Sequence, residues 1–74
     1  MTYTIRLKIR ELLNDQKMTQ KELAKATGIR ESTISDIVRG TRTVMNYAHI
    51  EAIAKAFKIK SIEEIIDLKI DNEE

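Results

Sequence analysis

The sequence predicts a small all-α protein, and three features of the 74-residue chain support this class. Apolar residues recur at steps of three and four along most of the chain, which is the spacing of one helix face. The only two glycines, Gly28 and Gly40, follow such segments at positions where a left-handed residue ends a helix. No proline is present to interrupt a helix. The length is that of one domain, residues 1–74.

The composition is typical of a folded chain without a cofactor. Hydrophobic residues make up 42% and charged residues 34%, which is too apolar for intrinsic disorder. There is no cysteine, and one histidine, His49, cannot form a transition-metal site alone. No apolar run is long enough for a signal peptide or a membrane span. We therefore expect a cytoplasmic protein with no cofactor, no small-molecule ligand and no membrane partner.

The charge is distributed unevenly, although the formal net charge is only +1. Residues 1–42 carry nine Lys and Arg against five Asp and Glu, whereas residues 43–74 carry four against seven. Clustered positive charge attracts the phosphates of nucleic acids. The N-terminal half is therefore the half expected to contact a nucleic acid.

The first helix is predicted over residues 7–17. Its apolar stripe consists of Ile5, Ile9, Leu12 and Leu13. Near both termini apolar and polar residues alternate instead, as in a strand with one buried face. The alternating apolar residues are Tyr3, Ile5 and Leu7 at one end and Leu68 and Ile70 at the other. The sequence is compatible with a short β-ribbon between the termini, which is marginal unless it packs on the helices or a second subunit extends it.

Two further helices are predicted around Gly28. Thr19 and Glu22 have the spacing of a capping box, so the second helix begins after Thr19 and ends at Gly28. A third helix follows over residues 31–38 and ends at Gly40. Its core positions are Ile34, Ile37 and Val38.

The fourth and fifth helices are predicted from their caps. Asn46 can cap the fourth, and its inner face is Tyr47, Ile50, Ile53, Ala54 and Phe57. His49 lies off that face and is expected to point to solvent. Ser61 and Glu64 repeat the capping-box spacing before a last short helix. That helix carries Ile62, Ile65 and Ile66.

The spacing of Ala24, Gly28 and Ile34 has a steric meaning. Two helices joined by a short turn at a steep angle can approach only if the contact residue on the first is small. The turn needs a residue tolerant of positive φ, and the second helix needs a branched apolar residue facing the alanine. Each residue alone is also ordinary in a helical bundle that binds no nucleic acid. Together they indicate a helix-turn-helix.

The segment QKELAKATGIRESTISDIVRG resembles the helix-turn-helix of the phage repressor and Cro-like (Xre-type) family. The resemblance implies an all-α, five-helix lambda-repressor-like domain with its helix-turn-helix at residues 20–39. It also implies that helix 31–38 lies in the major groove of double-stranded DNA. The base-facing candidates carried over are Glu31, Ser32, Ser35 and Asp36. A carboxylate can accept from cytosine N4, although Glu31 equally well serves to compensate the helix dipole.

Phosphate contacts are expected from residues that flank the third helix and from the start of the second. They are Gln20, Lys21, Arg30, Thr33, Arg39, Thr41, Arg42 and Thr43. For single lysines a solvated charged surface is the usual alternative. The arginines bracket the third helix, which favours a DNA contact for them.

Two departures from the family pattern have physical interpretations. Many members pair an arginine in the first helix with a glutamate late in the third, at the positions of Leu13 and Val38 here. Matched apolar residues can replace such a pair without loss of stability, so we expect Leu13 to contact Val38. Thr27 stands where the family is usually apolar, and its hydroxyl is expected to bond back to a helix carbonyl.

Two functions are consistent with these features. The first is a sequence-specific transcriptional regulator, a repressor, that binds DNA as a homodimer and is associated with the nucleoid when bound. The segment with Ile62, Ile65, Ile66, Leu68 and Ile70 either forms the subunit interface or closes the monomer core. The alternative is an antitoxin or anti-repressor that covers another protein with its acidic half and the tail Asp71 to Glu74. No nucleophile with a nearby base and no carboxylate cluster supports an enzyme.

Overall fold

The computed structural model describes residues 1–41 and 44–72. Four α-helices, one 3-10 turn and two strands follow one another in this part of the chain. They are β1 Thr2–Leu7, α1 Ile9–Asp15, α2 Gln20–Thr27, α3 Glu31–Arg39, α4 Tyr47–Phe57, the 3-10 turn Ile62–Glu64 and β2 Ile66–Asp71. The protein is therefore mainly helical with a two-stranded antiparallel sheet.

The strands at the two ends of the chain form the ribbon that the sequence allowed. The register pairs Thr2 with Asp71 and Leu7 with Ile66. At its inner end the ribbon joins the helices, since the Lys8 amide donates to the Ile65 carbonyl at 2.6 Å. Outside, Arg6 binds the Glu11 carboxylate at 2.6 Å and links β1 to α1. Because Leu7 belongs to β1, the first helix begins at Ile9 and not at residue 7.

The prediction of five helices is wrong at the C-terminal end. The Glu64 carboxylate accepts from the backbone amides of Lys60 and Ser61, as the capping-box spacing predicts. Only one 3-10 turn follows, however, and Ile66 already belongs to β2. Pairing with β1 satisfies the backbone of this segment, so no helix continues.

One hydrophobic core joins the helices to the inner end of the ribbon. Its fully buried residues are Ile9, Leu23, Ile34, Ile37, Ile53 and Ile65. Leu13 is buried in the same core, and Val38 packs against it from the edge. Direct contact between Leu13 and Val38 stays a prediction. The Gln16 side chain adds a polar link by donating to the Phe57 carbonyl at 3.0 Å, which ties the end of α1 to the end of α4.

Tyr47 is not a core residue, contrary to the prediction for α4. Its side chain is 84% exposed, whereas Phe57 is buried as predicted. Asn46 caps the helix by accepting from the Ala48 amide at 2.8 Å, which makes Tyr47 the first helical residue. Six residues at 100° each rotate Tyr47 about 120° away from the buried Ile53. No helix in the described part of the chain is long and apolar enough to cross a membrane.

Candidate nucleic-acid interface

The second helix begins at a complete capping box. The Thr19 hydroxyl accepts from the Glu22 amide at 3.1 Å, and the Glu22 carboxylate accepts from the Thr19 amide at 3.0 Å. These bonds satisfy backbone donors that the first turn of a helix leaves without partners. Gln20 and Lys21 come directly after the cap, with Gln20 partly buried and Lys21 exposed. The start of α2 is thereby fixed at the position where two predicted phosphate contacts lie.

The turn between α2 and α3 is held by Gly28 and by Thr27. Gly28 has φ of 75° and donates to the Ala24 carbonyl at 2.9 Å, which ends α2 in the left-handed conformation. The Thr27 hydroxyl donates to the Leu23 carbonyl at 2.8 Å and accepts from the Ile29 amide at 3.2 Å. The predicted bond from Thr27 to a helix carbonyl is confirmed. The Thr27 hydroxyl also holds Ile29, the first residue after the turn, by accepting from its amide.

The residues that the predicted sterics require between α2 and α3 are all buried. Ala24 is buried on α2, Ile34 is fully buried on α3, and Ile29 is buried between them. The two helices contact each other directly. With Ile34 and Ile37 both inside, the opposite side of α3 is left at the surface.

The predicted base-facing residues of α3 differ in their exposure. Glu31 and Ser32 are exposed in the first turn, whereas Ser35 and Asp36 are partly buried. No side-chain bond caps the start of α3 at Arg30. A carboxylate in this first turn therefore stabilises the uncapped amides, and this role of Glu31 is compatible with contacting a base.

Asp36 is bound to neighbouring residues. Its carboxylate accepts from Arg39 at 2.7 Å, and its backbone carbonyl accepts from the Thr41 hydroxyl at 3.2 Å. The negative charge that is awkward on a DNA-reading helix is thus paired within α3. The same bonds hold Arg39 and Thr41, two predicted phosphate contacts, beside the end of α3 at Gly40.

Of the remaining predicted phosphate contacts, Arg30 and Thr33 belong to the described residues. Arg30 and Thr33 lie together at an open groove between the α2–α3 turn and α4, where His49 also lies. His49 is partly buried there and not simply directed to solvent. Arg42 and Thr43 lie outside the described residues.

The sequence did not indicate two strongly exposed side chains that follow α3 along the chain. Val44 and Tyr47 are 79% and 84% exposed just beyond the end of α3. On a helical wheel Tyr47 lies about 120° from Ile53 but only about 80° from Phe57, so the spacing alone did not exclude a core position. In the described part of the chain no group of three acidic or metal-binding side chains is arranged to hold a metal ion.

Comparison with protein families agrees with this geometry. The model of the Cro/C1-type HTH DNA-binding domain matches residues 8–71. The chain belongs to this family. The match includes α1 to α4, the 3-10 turn and all of β2. No curated protein and no solved structure matches the chain.

Membership in the Cro/C1-type family identifies double-stranded DNA as the partner of this domain. This partner agrees with the helix-turn-helix, whose turn has the predicted left-handed Gly28. Which of the residues named above touch bases or phosphates is a separate question, which depends on each side chain.

Proposed function

We propose that the protein is a sequence-specific transcriptional regulator, acting as a repressor, that binds a two-fold symmetric DNA site as a homodimer. In this proposal α3 enters the major groove, and the two copies bind half-sites about 34 Å apart. The observation that carries the proposal is the outer side of α3. It presents exposed polar side chains opposite a fully buried apolar side and has an arginine at each end.

Within α3, Ser32 and Ser35 are the residues proposed to read bases. A hydroxyl can donate or accept, so each serine can bind more than one base edge in the major groove. Glu31 is proposed to accept from cytosine N4 while it also compensates the uncapped helix start. Asp36 is proposed to limit the phosphate contact of Arg39, since their ion pair holds the guanidinium on α3.

Phosphates are proposed to bind on both sides of α3. Lys21 and Gln20 stand at the capped start of α2, where backbone amides favour an anion. Arg30 and Thr33 lie at the other side, beside α4. Arg39 and Thr41, together with Arg42 and Thr43, complete the proposed set of phosphate contacts.

Selection from a random duplex library tests the proposal. We expect a palindromic consensus whose half-sites are separated by one helical turn. In a reporter, a selected site that overlaps the promoter should lower transcription when the protein is present. Failure to enrich any sequence at low salt would overturn specific DNA binding, and increased transcription would overturn the repressor role.

Variants distinguish base-reading residues from phosphate-binding residues, because the first change sequence preference and the second change affinity for all sequences. Ser32→Ala and Ser35→Ala should each relax the consensus at one position, at a cost of about 0.5–1.5 kcal/mol for the preferred base. Lys21→Ala should weaken binding to all sequences and reduce the salt slope by about 0.9. Lys55→Ala removes the same charge from an exposed position on α4 and is the matched control, with no expected change in slope.

A protein-covering role as an antitoxin or anti-repressor has less support. It was based on the acidic half of the chain, and the acidity of the third helix favours it slightly. With Asp36 paired to Arg39, Glu31 is the acidic residue of α3 that lies exposed, in the turn where a negative charge stabilises the helix.

A further inference from the structure

One face of the terminal ribbon consists entirely of apolar side chains. The register places Tyr3 opposite Ile70, Ile5 opposite Leu68 and Leu7 opposite Ile66. Directly opposed residues in an antiparallel pair project to the same side, and so do residues two apart. The inner pair, Leu7 and Ile66, packs against the protein core. The outer four residues, Tyr3, Ile5, Leu68 and Ile70, are called the ribbon face below.

The ribbon face is uncovered. Its side chains are 61% exposed at Tyr3, 62% at Ile5, 53% at Leu68 and 50% at Ile70. Half of the eight large hydrophobic side chains that are exposed in the described residues therefore lie together on this one face. Single exposed apolar residues are ordinary, but a contiguous group marks a surface that another molecule covers.

The other side of the ribbon is an ordinary solvated surface. It carries Thr2, Thr4, Arg6, Asp67, Lys69 and Asp71, all exposed. Its two positive charges balance its two negative charges. This surface offers neither the excess of cations that anionic lipid requires nor a charged patch for a strongly charged partner.

We propose that two copies of this chain associate around a two-fold axis, with the ribbon face of each copy packed against the ribbon face of the other. This inference rests on the proposed function in one respect, since it names where the homodimer forms. In a two-fold interface each patch meets itself, so it must not carry like charges that would face each other. The ribbon face carries none, and it is self-complementary in polarity.

The sequence left open whether the C-terminal segment forms the subunit interface or closes the monomer core. In the structure, different residues of the segment suit each role. Ile65 is fully buried and Ile66 packs on the core, so both close the monomer. Leu68 and Ile70 are exposed on the ribbon face and do not close the monomer core. The four residues outside the described ranges, Arg42, Thr43, Glu73 and Glu74, include no apolar side chain that could cover the face.

Packing through the faces is favoured over pairing through the strand edges. Edge pairing of two ribbons would build a four-stranded sheet and leave both apolar faces in water. Face-to-face packing buries them at the usual separation of about 10 Å between sheets. Four half-exposed side chains supply on the order of 400 Å² per copy, about half of a standard interface. We therefore expect a weak dimer, with Kd on the order of micromolar.

Cysteine cross-linking tests the arrangement directly, because the chain has no cysteine of its own. Ile5→Cys and Leu68→Cys place one thiol each on the ribbon face. Thr4→Cys and Lys69→Cys are matched controls on the opposite side of the same strands. A short bismaleimide should link the first two variants into covalent dimers and leave the controls monomeric. Equal linking in all four would overturn the proposal.

Sedimentation equilibrium gives the second readout, without DNA. Ile5→Glu should raise the dimer Kd on the order of 100-fold, because two carboxylates would be buried without partners. Thr4→Glu, with the same charge on the solvated side, should leave Kd within about twofold. Circular dichroism checks that both variants fold, which we expect because Ile5 lies outside the core.

Each outcome bears on the inference. A wild-type chain that stays monomeric at hundreds of micromolar, or an Ile5→Glu variant that dimerises as well as the wild type, would overturn it. The DNA-binding experiments and the dimer measurements can give negative results independently of each other. If library selection enriches no sequence while the ribbon-face variants still break the dimer, the proposed function fails and the interface stands. If specific DNA binding is found with the interface elsewhere, the reverse holds.

Discussion

Arg39 and Asp36 form an ion pair along α3, with Nη2 of Arg39 2.7 Å from Oδ1 of Asp36. The Arg39 side chain is 59% exposed and the partly buried Asp36 side chain still 38%, so solvent screens the pair and it adds little to stability. Its proposed effect is on DNA binding instead. Each residue had a separate expected role, one at a phosphate and one at a base. Paired, they give this part of α3 no net charge.

Asp36→Asn should strengthen DNA binding roughly three- to fivefold, because it removes a negative charge and releases Arg39 toward a phosphate. The slope of log K against log salt should steepen by about 0.9 if one more phosphate is neutralised. Fluorescence anisotropy over a salt series measures both quantities. Asp67→Asn removes the same charge from the ribbon. An equal gain in that variant would show that net charge alone is responsible.

Thr27→Val should lower the free energy of unfolding by about 1–3 kcal/mol. The variant keeps the shape of the side chain but loses the hydroxyl that bonds to the Leu23 carbonyl and to the Ile29 amide. Thr27→Ser retains the hydroxyl and should cost less than the valine variant. Urea unfolding measures these changes. A valine variant as stable as the wild type would contradict the role assigned to this hydroxyl.

Phe57→Ala and Tyr47→Ala should differ strongly in stability, although both remove an aromatic ring from α4. Phe57 is 3% exposed, and its loss should cost about 3–5 kcal/mol, enough to unfold much of a domain this small. Tyr47 is a surface residue, so its removal should change the free energy of unfolding by less than about 0.5 kcal/mol. Thermal melts compare the two. A large loss in the Tyr47 variant would contradict its exposed position.

Leu13→Ala and Val38→Ala should be coupled if the two side chains touch. Leu13 is buried, and its truncation alone should cost about 2–5 kcal/mol. A double-mutant cycle by urea unfolding should give an interaction energy of at least about 0.5 kcal/mol. Additivity within about 0.3 kcal/mol would remove the direct contact and leave two independent members of one core.

The helix-turn-helix could be predicted because its determinants are local. The capping box of Thr19 and Glu22, the left-handed Gly28 and the small Ala24 act within one or two turns of chain. They specify helix ends and a packing angle without information from distant residues. The Thr27 hydroxyl bond was predictable for the same reason.

The termini could not be assigned with the same security because their structure depends on a distant partner. Residues 62–66 have a helix-start pattern and an apolar spacing that also suits a helix. Pairing with β1, far away in sequence, decides that Ile66 enters a strand. Local preference is weaker than such a tertiary contact. At the interface itself, the sequence named Asp36 and Arg39 but did not reveal that they bind each other.

The ribbon also determines an order of events in assembly. Thr2 pairs with Asp71, so the strands that meet are separated by nearly the whole chain. Contacts this distant in sequence close slowly, whereas the helices depend on neighbours nearby. The proposed dimer surface takes residues from both strands and does not exist until the chain has closed on itself. A nascent or partly folded copy therefore has nothing to dimerise with, and only finished monomers can recognise one another.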